Sequence, residues 1–498
     1  MDFSLNKNSL NYYKNMGTKC ASGEFTSEAV VPDTQEDISR IICADACSDV
    51  HAKDVSGGRV TVSGDIAVKA VYVPESEKCA AAIETKIPFS LDVDFQLTGE
   101  LYPIISASVA ALDVRMLNPR KILARCEVRI ECTVYAKDEL VWFDALSEEC
   151  ESVHIHTAAR QIDIASLVSE KTFTVSDELA MPPGKPAPGT ILTSCVSLRA
   201  DDNQVVGEKL IVKGTAISRM FYLPENGENL EYAVFETPFS MLMELPDEKP
   251  DNVRVTLIVT ACYIDIHTSQ DGDKTLEFET QGAAQAVFGK YCAIHAIDDA
   301  YSTAGELTIE TTAADLGTGY SSDIIRTSQR WQLDMPEPVR DIIGAVLIPG
   351  TPVYQDGTIS SPAGVCVVYR GEDDKLYGER GSVTASSEYG GGQPSSLSAE
   401  YGAVLAVPAG SCADLRVSAD FAVSAARQEH FAGISALEQE DDKLYTAPRP
   451  SLTVIRADTN DLWSIAKRYA SSEKTIADCN NLQEDEKIAG KTLLIPRV

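Results

Sequence analysis

Cysteine is the residue type in this sequence with the clearest capacity for metal chemistry, because 13 cysteines are present. Two pairs, Cys43/Cys47 and Cys126/Cys132, have spacings that a zinc ion could bridge. Structural zinc sites, however, need tight two-residue spacings and a second ligand pair. Cys126 and Cys132 also alternate with charged residues, which predicts that both thiols point into a core. We therefore expect buried thiols, no metal site and no cofactor.

His154 and His156 form the second candidate group, since they are two residues apart on one side of a strand-like segment. No carboxylate or cysteine motif accompanies them, so solvated strand residues are favoured over a metal site. Close acidic pairs also occur, but a glycosidase needs two carboxylates that face each other across a sugar. Neighbours on one strand do not provide that geometry, so a solvated face and a turn are predicted. These pairs are Asp92/Asp94 and Asp271/Asp273.

The stretch Gly490-Lys491-Thr492 mimics the end of a phosphate-binding loop. Such a loop needs a glycine where this chain has Asp485, and a following helix where a strand is expected. No HExxH, GxSxG or Cys–His hydrolase signature appears. The sequence therefore predicts no catalytic residue, and a binding protein rather than an enzyme.

The composition is that of a multidomain globular protein. A chain of 498 residues with 44% hydrophobic residues is expected to form on the order of three or four domains. Its net charge of −32 repels nucleic acid and anionic lipid, so no nucleic acid partner is expected. Residues 451–498 carry seven basic and seven acidic residues, so the whole excess lies in residues 1–450. Such a shift is typical of a domain boundary.

The N-terminal stretch MDFSLNKNSLNYYKNMGTKC lacks a continuous apolar region after a basic start, so no signal peptide is expected. No apolar run approaches about 18 residues, so no membrane insertion is expected either. These features predict a cytoplasmic protein whose thirteen cysteines are reduced.

An internal repeat dominates residues 1–450. When the chain is displaced by 150 positions, strand-type and turn-type residues coincide without a gap over roughly sixty positions, which indicates a domain duplication. A third, weaker copy follows, in which 335–343 resembles 31–42 and 364–374 resembles 67–77. The coincident pairs include Pro32/Pro182, Gly64/Gly214, Tyr72/Tyr222 and Phe89/Phe239.

The local pattern of each copy is that of antiparallel β-structure. Apolar residues alternate with polar ones at 60–72, 126–134 and 415–423, which predicts strands with one buried face. We expect a mainly β fold of tandem sandwich-like repeats before a small terminal domain. The predicted division is 1–27 N-terminal extension, 28–150 first repeat, 175–305 second repeat, 330–436 divergent third repeat, 437–450 linker and 451–498 terminal domain.

The terminal domain is predicted to have the order βααβ. Leu462, Ile465, Ala466 and Tyr469 share one face of a helix, with Asp461 as its N-cap. A second short helix is expected over 473–481, between strands at 452–455 and 493–495.

This order resembles a LysM domain, on the residues Leu462-Trp463-Ser464-Ile465-Ala466-Lys467-Arg468-Tyr469, Asn481-Leu482, Gly490-Lys491 and Leu494-Ile495-Pro496. The resemblance implies a shallow groove for N-acetylglucosamine polymers such as peptidoglycan, between the loops 458–461 and 481–488. The family's glycine before Asp-Thr is absent here, so we expect Asn460 to supply the left-handed turn. The implied groove residues are Asp458, Thr459, Asn460, Asp461, Asn481, Leu482 and Ile488. The core or partner surface of the module is expected to include Trp463, Ile465, Lys467 and Tyr469.

Acidic β-repeats followed by a LysM domain resemble the SPOCS-domain proteins of the spore coat. The resemblance rests on Val30-Val31-Pro32-Asp33, GRVTVSGDIAVKAVYV at 58–73, Pro88-Phe89 and Asn118-Pro119-Arg120-Lys121-Ile122. It implies a protein of the mother-cell cytoplasm at the forespore surface, which helps the coat to encase the forespore. It also implies a partner, the SpoIVA-like ATPase of the coat basement, contacted through LysM.

Three functions therefore remain open, in this order. The first is a non-enzymatic sporulation scaffold that assembles the coat through protein–protein contacts. The second is a peptidoglycan-binding protein that acts through the LysM groove. The third is an amidase or glycosidase with an unfamiliar active site in residues 1–450.

Overall fold

The computed structural model describes residues 2–498 except 226, 228, 246–248, 269–273, 316–318, 428–429, 446–449 and 484–485. The described chain is built from antiparallel strands, with helices in the C-terminal module, and it confirms the prediction of a mainly β fold. The acidic pair Asp271/Asp273 lies outside the described residues.

The first unit is a β-sandwich that buries alternate residues of two three-stranded layers. One layer is the sheet β3-β4-β5. The other, β2-β7-β6, is half of a six-stranded sheet that continues into the second unit. Their inner faces form one apolar core, in which Val60, Val62, Ile66, Val128 and Ile130 are fully buried. The strands are β1 (Asp2–Phe3), β2 (Leu5–Val30), β3 (Ile38–Ser56), β4 (Arg59–Pro74), β5 (Ala81–Asp94), β6 (Leu101–Asn118) and β7 (Lys121–Leu146).

The second unit repeats this plan. Its layers are β9-β10-β11 and β8-β13-β12, and β9, β10 and β11 begin and end 150 residues after β3, β4 and β5. A buried tyrosine hydroxyl is matched as well, because Tyr72 donates to the Glu36 carbonyl at 3.2 Å and Tyr222 to the Pro186 carbonyl at 3.0 Å. The strands are β8 (Val153–Leu179), β9 (Pro188–Val206), β10 (Lys209–Pro224), β11 (Glu231–Glu244), β12 (Asn252–Thr268) and β13 (Lys274–Ser302).

The third unit has the same two layers with shorter strands. In one layer β16, β17 and β19 pair with β18; in the other, β15, β20 and β21 pair with β22. It is enclosed in sequence by two strands that pair with each other, β14 before it and β23 after it. The strands are β14 (Gly305–Asp315), β15 (Gly319–Asp334), β16 (Val339–Pro349), β17 (Val353–Gln355), β18 (Thr358–Gly371), β19 (Leu376–Glu388), β20 (Ser396–Tyr401), β21 (Leu405–Ala409), β22 (Cys412–Arg427) and β23 (His430–Leu444).

A further layer covers the far ends of the longest strands. β2, β7, β8 and β13 have 26, 26, 27 and 29 residues, so they extend beyond the sandwich cores. The sheet β1-β23-β14 packs on these extensions through Phe431, Ile434 and Leu437, which are buried against Ile294 and Ile297. The extension of β13 also contacts the C-terminal module, through Asp299 and Tyr301.

Two predicted boundaries need correction. The N-terminal extension 1–27 is mostly β2, the first strand of the first unit, which pairs with β7 along nearly its whole length. The linker 437–450 is strand as far as Leu444, because β23 runs through the predicted end of the third repeat at 436. Both segments are rich in polar residues. Cross-strand backbone pairing, rather than an apolar alternation visible in sequence, holds them in place.

The three units meet in a buried junction. Ile42, Phe221 and Val368, one from each unit, are each about 1% exposed or less. Asp45 accepts two hydrogen bonds from Arg219, from Nε and Nη2, both at 2.8 Å. Beside this ion pair, Cys47 of β3 and Cys195 of β9 form a disulfide bond, so the expectation that all thirteen cysteines are reduced is wrong for this pair. The reason is spatial, because the junction brings together two strands far apart in sequence.

Arg120 connects the turn at 118–121 with the segment at 31–37 that precedes β3. Its guanidinium donates to the Val31 carbonyl at 2.9 Å and to the Asp37 carboxylate at 2.7 Å. The Val31 amide in turn donates to the Arg120 carbonyl at 2.9 Å. The Asn-Pro-Arg-Lys turn therefore closes the loop that enters β3, which is a structural role.

The C-terminal module has the βααβ order that the sequence predicts. Asp461 caps the first helix by accepting from the Trp463 amide at 3.1 Å, and Ser472 caps the second. The two strands pair antiparallel. The elements are β24 (Leu452–Arg456), α1 (Leu462–Tyr469), α2 (Glu473–Asn480) and β25 (Thr492–Pro496).

Candidate functional site

The module has a small apolar core, which Tyr301 of β13 joins. Ile465 and Ala466 of α1 and Ile476 of α2 are fully buried against Leu493 and Ile495 of β25. Since Ile465 points inward, it supports the module rather than contacting a partner. The predicted groove residue Ile488 also belongs to this core, at 3% exposed. The spacing of apolar residues in the sequence thus accounts for the core of the module. Binding of a partner or a glycan must involve its surface.

The two loops of the predicted groove are joined by one side chain. The Asn460 Oδ1 atom accepts hydrogen bonds from the amides of Ile488 at 3.0 Å and Ala489 at 2.8 Å. Asn460 therefore acts through its side chain, and its backbone is not in the left-handed region that we expected. Asn481 is the groove residue with a positive φ, 52°, because it ends α2. Asparagine tolerates that conformation better than most residues.

The loop surface is polar and open. Asp458, Asn460, Asp461 and Asn481 are exposed, whereas Thr459 and Leu482 are half-buried. Asp458 pairs with Arg468 of α1 at 2.8 Å, and this hydrogen bond holds the pKa of Asp458 below its usual range. The exposed members present carboxylate and amide groups, which suit hydrogen bonding to a sugar hydroxyl or a peptide backbone.

One face of α1 is docked on the body, defined here as residues 2–445. Asp299 of β13 accepts from the Trp463 indole Nε1 at 2.8 Å and from the Lys467 ammonium group. Next to it, the Tyr301 hydroxyl donates to the Ser471 carbonyl at 2.7 Å. Trp463 and Lys467, which we expected in the core or on a partner surface, thus contact the body.

Aromatic packing surrounds these hydrogen bonds. The Trp463 ring lies 4.8 Å from the Tyr301 ring in an edge-on arrangement and 5.3 Å from the His156 ring. The His154 ring also packs on Tyr301, with ring centroids 5.0 Å apart. Aromatic pairs at these distances contribute roughly 0.5–1.5 kcal/mol beyond area burial. His156 therefore takes part in the interdomain contact while its side chain stays 48% exposed, as a solvated strand residue would be. His154, for which we also predicted a solvated place, is half-buried against Tyr301.

A β-bulge produces this arrangement. Along β13 and β8, His156 faces Asp299 and His154 faces Tyr301, but the register shifts between Ile297 and Asp299. Asp298 is the extra residue. A bulge redirects side chains locally, and here Asp298 bonds the His156 Nδ1 atom at 2.7 Å while Asp299 meets the module.

Burial, hydrogen bonds and neighbouring charges shift the pKa values of three groups at the junction. The hydrogen bond with Asp298 raises the pKa of His156, and the charges of Glu473 and Asp299 act in the same direction against burial. Burial opposes ionisation of Asp299, but the bonds from Lys467 and Trp463 outweigh it and hold its pKa below the usual range. Burial also raises the pKa of Glu473, and the Asp461 charge adds to this.

The second histidine behaves differently. Burial lowers the pKa of His154, and its Nε2 atom is buried without a hydrogen-bond partner in the described part of the chain. The neutral ring therefore suits its place against Tyr301. His154 and His156 are neighbours in sequence with opposite preferences for protonation.

The other chemical candidates have structural surroundings. Cys126 and Cys132 lie in the core of the first unit, and burial raises the pKa of both thiols to about 12. Asp92 pairs with Arg59 at 3.2 Å, and Asp94 accepts from the Gln96 amide in a turn. Within the described residues, no group of three or more His, Cys, Asp or Glu side chains could hold a metal ion. The helices described here are too short to cross a membrane.

Comparison with known proteins identifies two domains. A family model described as SipL, SPOCS domain, matches residues 37–117, and a LysM domain model matches residues 453–496. No curated protein and no solved structure matches the chain. The SPOCS match spans β3 to β6 of the first unit, and the LysM match spans β24 to β25. The chain thus combines a sporulation-associated domain with a domain of the peptidoglycan-binding type, and both are binding domains.

Sequence reasoning missed the body's half of the docking site. Asp298, Asp299 and Tyr301 lie in AIDDAYS, where two acidic residues interrupt an apolar strand. That interruption is the one local signal that could have identified them. Their proximity to Trp463 depends on a contact across more than 160 residues, which no local pattern encodes.

Proposed function

We propose that this protein is a non-enzymatic sporulation scaffold that helps to assemble the spore coat around the forespore. The supporting observation is the SPOCS domain at 37–117 together with a LysM domain at 453–496. The first lies within a body of three sandwich units, and the second is a compact module attached to it. Such a body suits the presentation of a binding module at a fixed place.

The proposed partner is the SpoIVA-like ATPase of the coat basement, in the mother-cell cytoplasm at the forespore surface. The module offers an open apolar face for a protein contact. Val454 and Leu494 are directly paired across β24 and β25, and they are 62% and 36% exposed. Leu452, at 44% exposed, continues this face along β24. Exposed apolar residues that adjoin one another mark protein contacts better than isolated ones do.

The binding test uses the full-length chain and the purified ATPase of the same organism. Val454→Glu places a charge in the middle of the apolar face and is expected to weaken binding at least about tenfold, which corresponds to roughly 1.4 kcal/mol. Val353→Glu is the matched control, because Val353 is a strand valine of the third unit that is 53% exposed. Equal affinity of both variants for the ATPase would remove the module's sheet face from the proposal.

The genetic test is deletion in the source organism. Mislocalised coat around the forespore is the expected phenotype, and normally coated spores would refute the scaffold function. Incubation of the protein with purified cell wall tests the proposed absence of enzymatic activity. Release of sugar or peptide would instead support an amidase or glycosidase.

Peptidoglycan binding through the LysM loops is the second candidate function. It is favoured by the open polar surface of Asp458, Asn460 and Asn481, and by the Asn460 side chain that holds the two loops together. Retention of the full-length chain on purified sacculi, lost in Asn460→Ala and Asn481→Ala variants, is the expected result. Lack of retention of the folded wild-type chain would reject glycan binding.

A further inference from the structure

The docked face of α1 displays the chemistry of a ligand site that is already occupied. Two donors, the Trp463 indole and the Lys467 ammonium group, converge on the single carboxylate of Asp299. The rings of Tyr301 and His156 flank the indole at 4.8 and 5.3 Å. The body therefore presents a carboxylate flanked by aromatic rings, and the module presents an indole and a cation that contact them.

This interface is polar at its edge and remains in contact with solvent. The Lys467 and Asp299 side chains are 43% and 33% exposed. A carboxylate that accepts two hydrogen bonds gains from its charge, but a half-exposed pair is partly screened by water. The ion pair at this edge therefore contributes less than a buried ion pair would, whereas Tyr301, which is 6% exposed, joins the apolar core of the module.

The short connection between body and module compensates for the weakness of this ion pair. Seven residues separate the end of β23 at Leu444 from the start of β24 at Leu452. A short tether of this kind gives an effective concentration on the order of millimolar. A weak intrinsic affinity is then sufficient to keep the face closed. A partner with the same chemistry and higher affinity can displace the body.

We propose that the α1 face of the LysM module is a second, regulated binding surface whose ligand is an acidic segment carrying an aromatic residue. At rest the body's own segment 298–301 occupies this surface. It is distinct from the sheet face of Val454 and Leu494, which stays open while the module is docked. The proposal does not depend on the identity of the coat partner.

The first measurement follows the exposure of Trp463 in the full-length chain. The chain contains three tryptophans, so 5-fluorotryptophan gives three ¹⁹F resonances, and Trp463→Phe assigns the one of interest. Asp299→Ala removes both acceptors, and Lys467→Glu introduces repulsion from Asp299. In both variants the Trp463 resonance is expected to become sensitive to solvent isotope while the other two stay unchanged. An unchanged Trp463 resonance in both would overturn the proposal.

The second measurement adds the body's own sequence in trans. The probe is a peptide of residues 296–302, AIDDAYS, and its control carries the Asp299→Asn change. The Asp299→Ala protein is expected to bind the probe at least about tenfold more tightly than wild type, since an unoccupied site avoids the cost of displacing the competing body. Lys467→Glu is expected to expose Trp463 yet fail to bind, because it lacks the cation. Equal binding by wild type and Asp299→Ala would refute the proposal.

A matched control separates this contact from general damage to the module. Arg468→Ala also breaks an ion pair of α1, but its partner Asp458 lies within the module. It is expected to leave both the Trp463 resonance and probe binding at wild-type values. Binding of the coat ATPase is measured in parallel on the same variants. If the wild-type chain does not bind the ATPase but the ¹⁹F and peptide results are as expected, only the proposed function is contradicted.

Discussion

The two junctions of this molecule are built in opposite ways. Where the three sandwich units meet, Ile42, Phe221 and Val368 exclude water, and the Asp45 carboxylate is 5% exposed. Where the LysM module meets the body, the central carboxylate, Asp299, is 33% exposed, and the apolar contact centres on Tyr301, which is 6% exposed within the module's core. The same type of interaction, a carboxylate with a cation, thus occurs in a dry and in a wet setting. The proposed displacement of the body by a partner thus concerns the junction whose ion pair is in contact with water.

The largest expected effect is at the dry junction, in Arg219→Ala. This change leaves Asp45 buried without its cation, and breaking a buried pair in this way costs roughly 3–5 kcal/mol. Urea unfolding followed by far-UV circular dichroism is expected to show a large fall in the midpoint of the body's transition. Arg59→Ala is the control, because its partner Asp92 is 51% exposed and such pairs contribute about 0–1 kcal/mol. Similar shifts in the two variants would show that the junction is not desolvated.

Gly378→Ala tests the fit between the first and third units. A Cβ atom at this position would lie 1.7 Å from the Ile42 carbonyl oxygen, so the units must separate to admit it. Overpacking of this kind costs typically 1–3 kcal/mol. The midpoint of the body's transition is expected to fall, but less than in Arg219→Ala. Gly364→Ala provides the comparison, since a Cβ atom there has no heavy atom within 4 Å.

Tyr301→Phe addresses the wet junction and is expected to have a smaller, local effect. The change keeps the ring against Trp463 but removes the donor to the Ser471 carbonyl, a loss of about 1 kcal/mol. Hydrogen exchange of the α1 amides should become faster, while the body's unfolding midpoint stays unchanged. A fall in that midpoint would mean that the module is part of the cooperative body, and the contrast between the junctions would disappear.

The repeated architecture could be predicted from sequence because it depends on local patterns. Alternation with a period of two predicted the strands, and the displacement by 150 residues predicted the duplication. Gly64 and Gly214 show why the copies agree. A Cβ atom would lie 2.0 Å from the Asp49 carbonyl oxygen at the first and 2.5 Å from the Arg199 carbonyl oxygen at the second. In both copies only glycine fits, so the same residue type is retained.

The elements that could not be predicted are those held by distant partners. β2 has a polar sequence with about as many exposed as half-buried residues. Its place is set by pairing with β7, about a hundred residues later. The LysM helices and the Asp461 cap were visible because apolar spacing and capping act within a few residues. The docking of Trp463 was not visible, since it depends on a bulge in β13 that redirects Asp298 and Asp299. Sugar recognition by the groove residues stays a prediction.

The smallest expected effect concerns pH at the wet junction. The pKa of His156 is raised chiefly by Asp298, a residue of the body, and docking adds the charge of Glu473. The contribution of His156 to docking that comes from Glu473 is fully present below the undocked pKa and is lost as pH rises through the docked pKa. Glu473, whose pKa is also raised, acts in the same direction. The pKa values of His154 and Asp299 are lowered, so their contributions favour docking at higher pH instead.

The total pH profile therefore contains opposing contributions, and the informative quantity is the difference between wild type and His156→Gln. We expect the variant to expose Trp463 more than wild type near pH 5.5, where wild-type His156 is charged beside Asp298, and to match it near about pH 8. The ¹⁹F resonance of Trp463 measures this exposure. A difference that grows towards alkaline pH would reverse the sign and show that neutral His156, stacked on Trp463, is the form that holds the module. In that case ring packing, rather than charge, would distinguish the wet junction from the dry one.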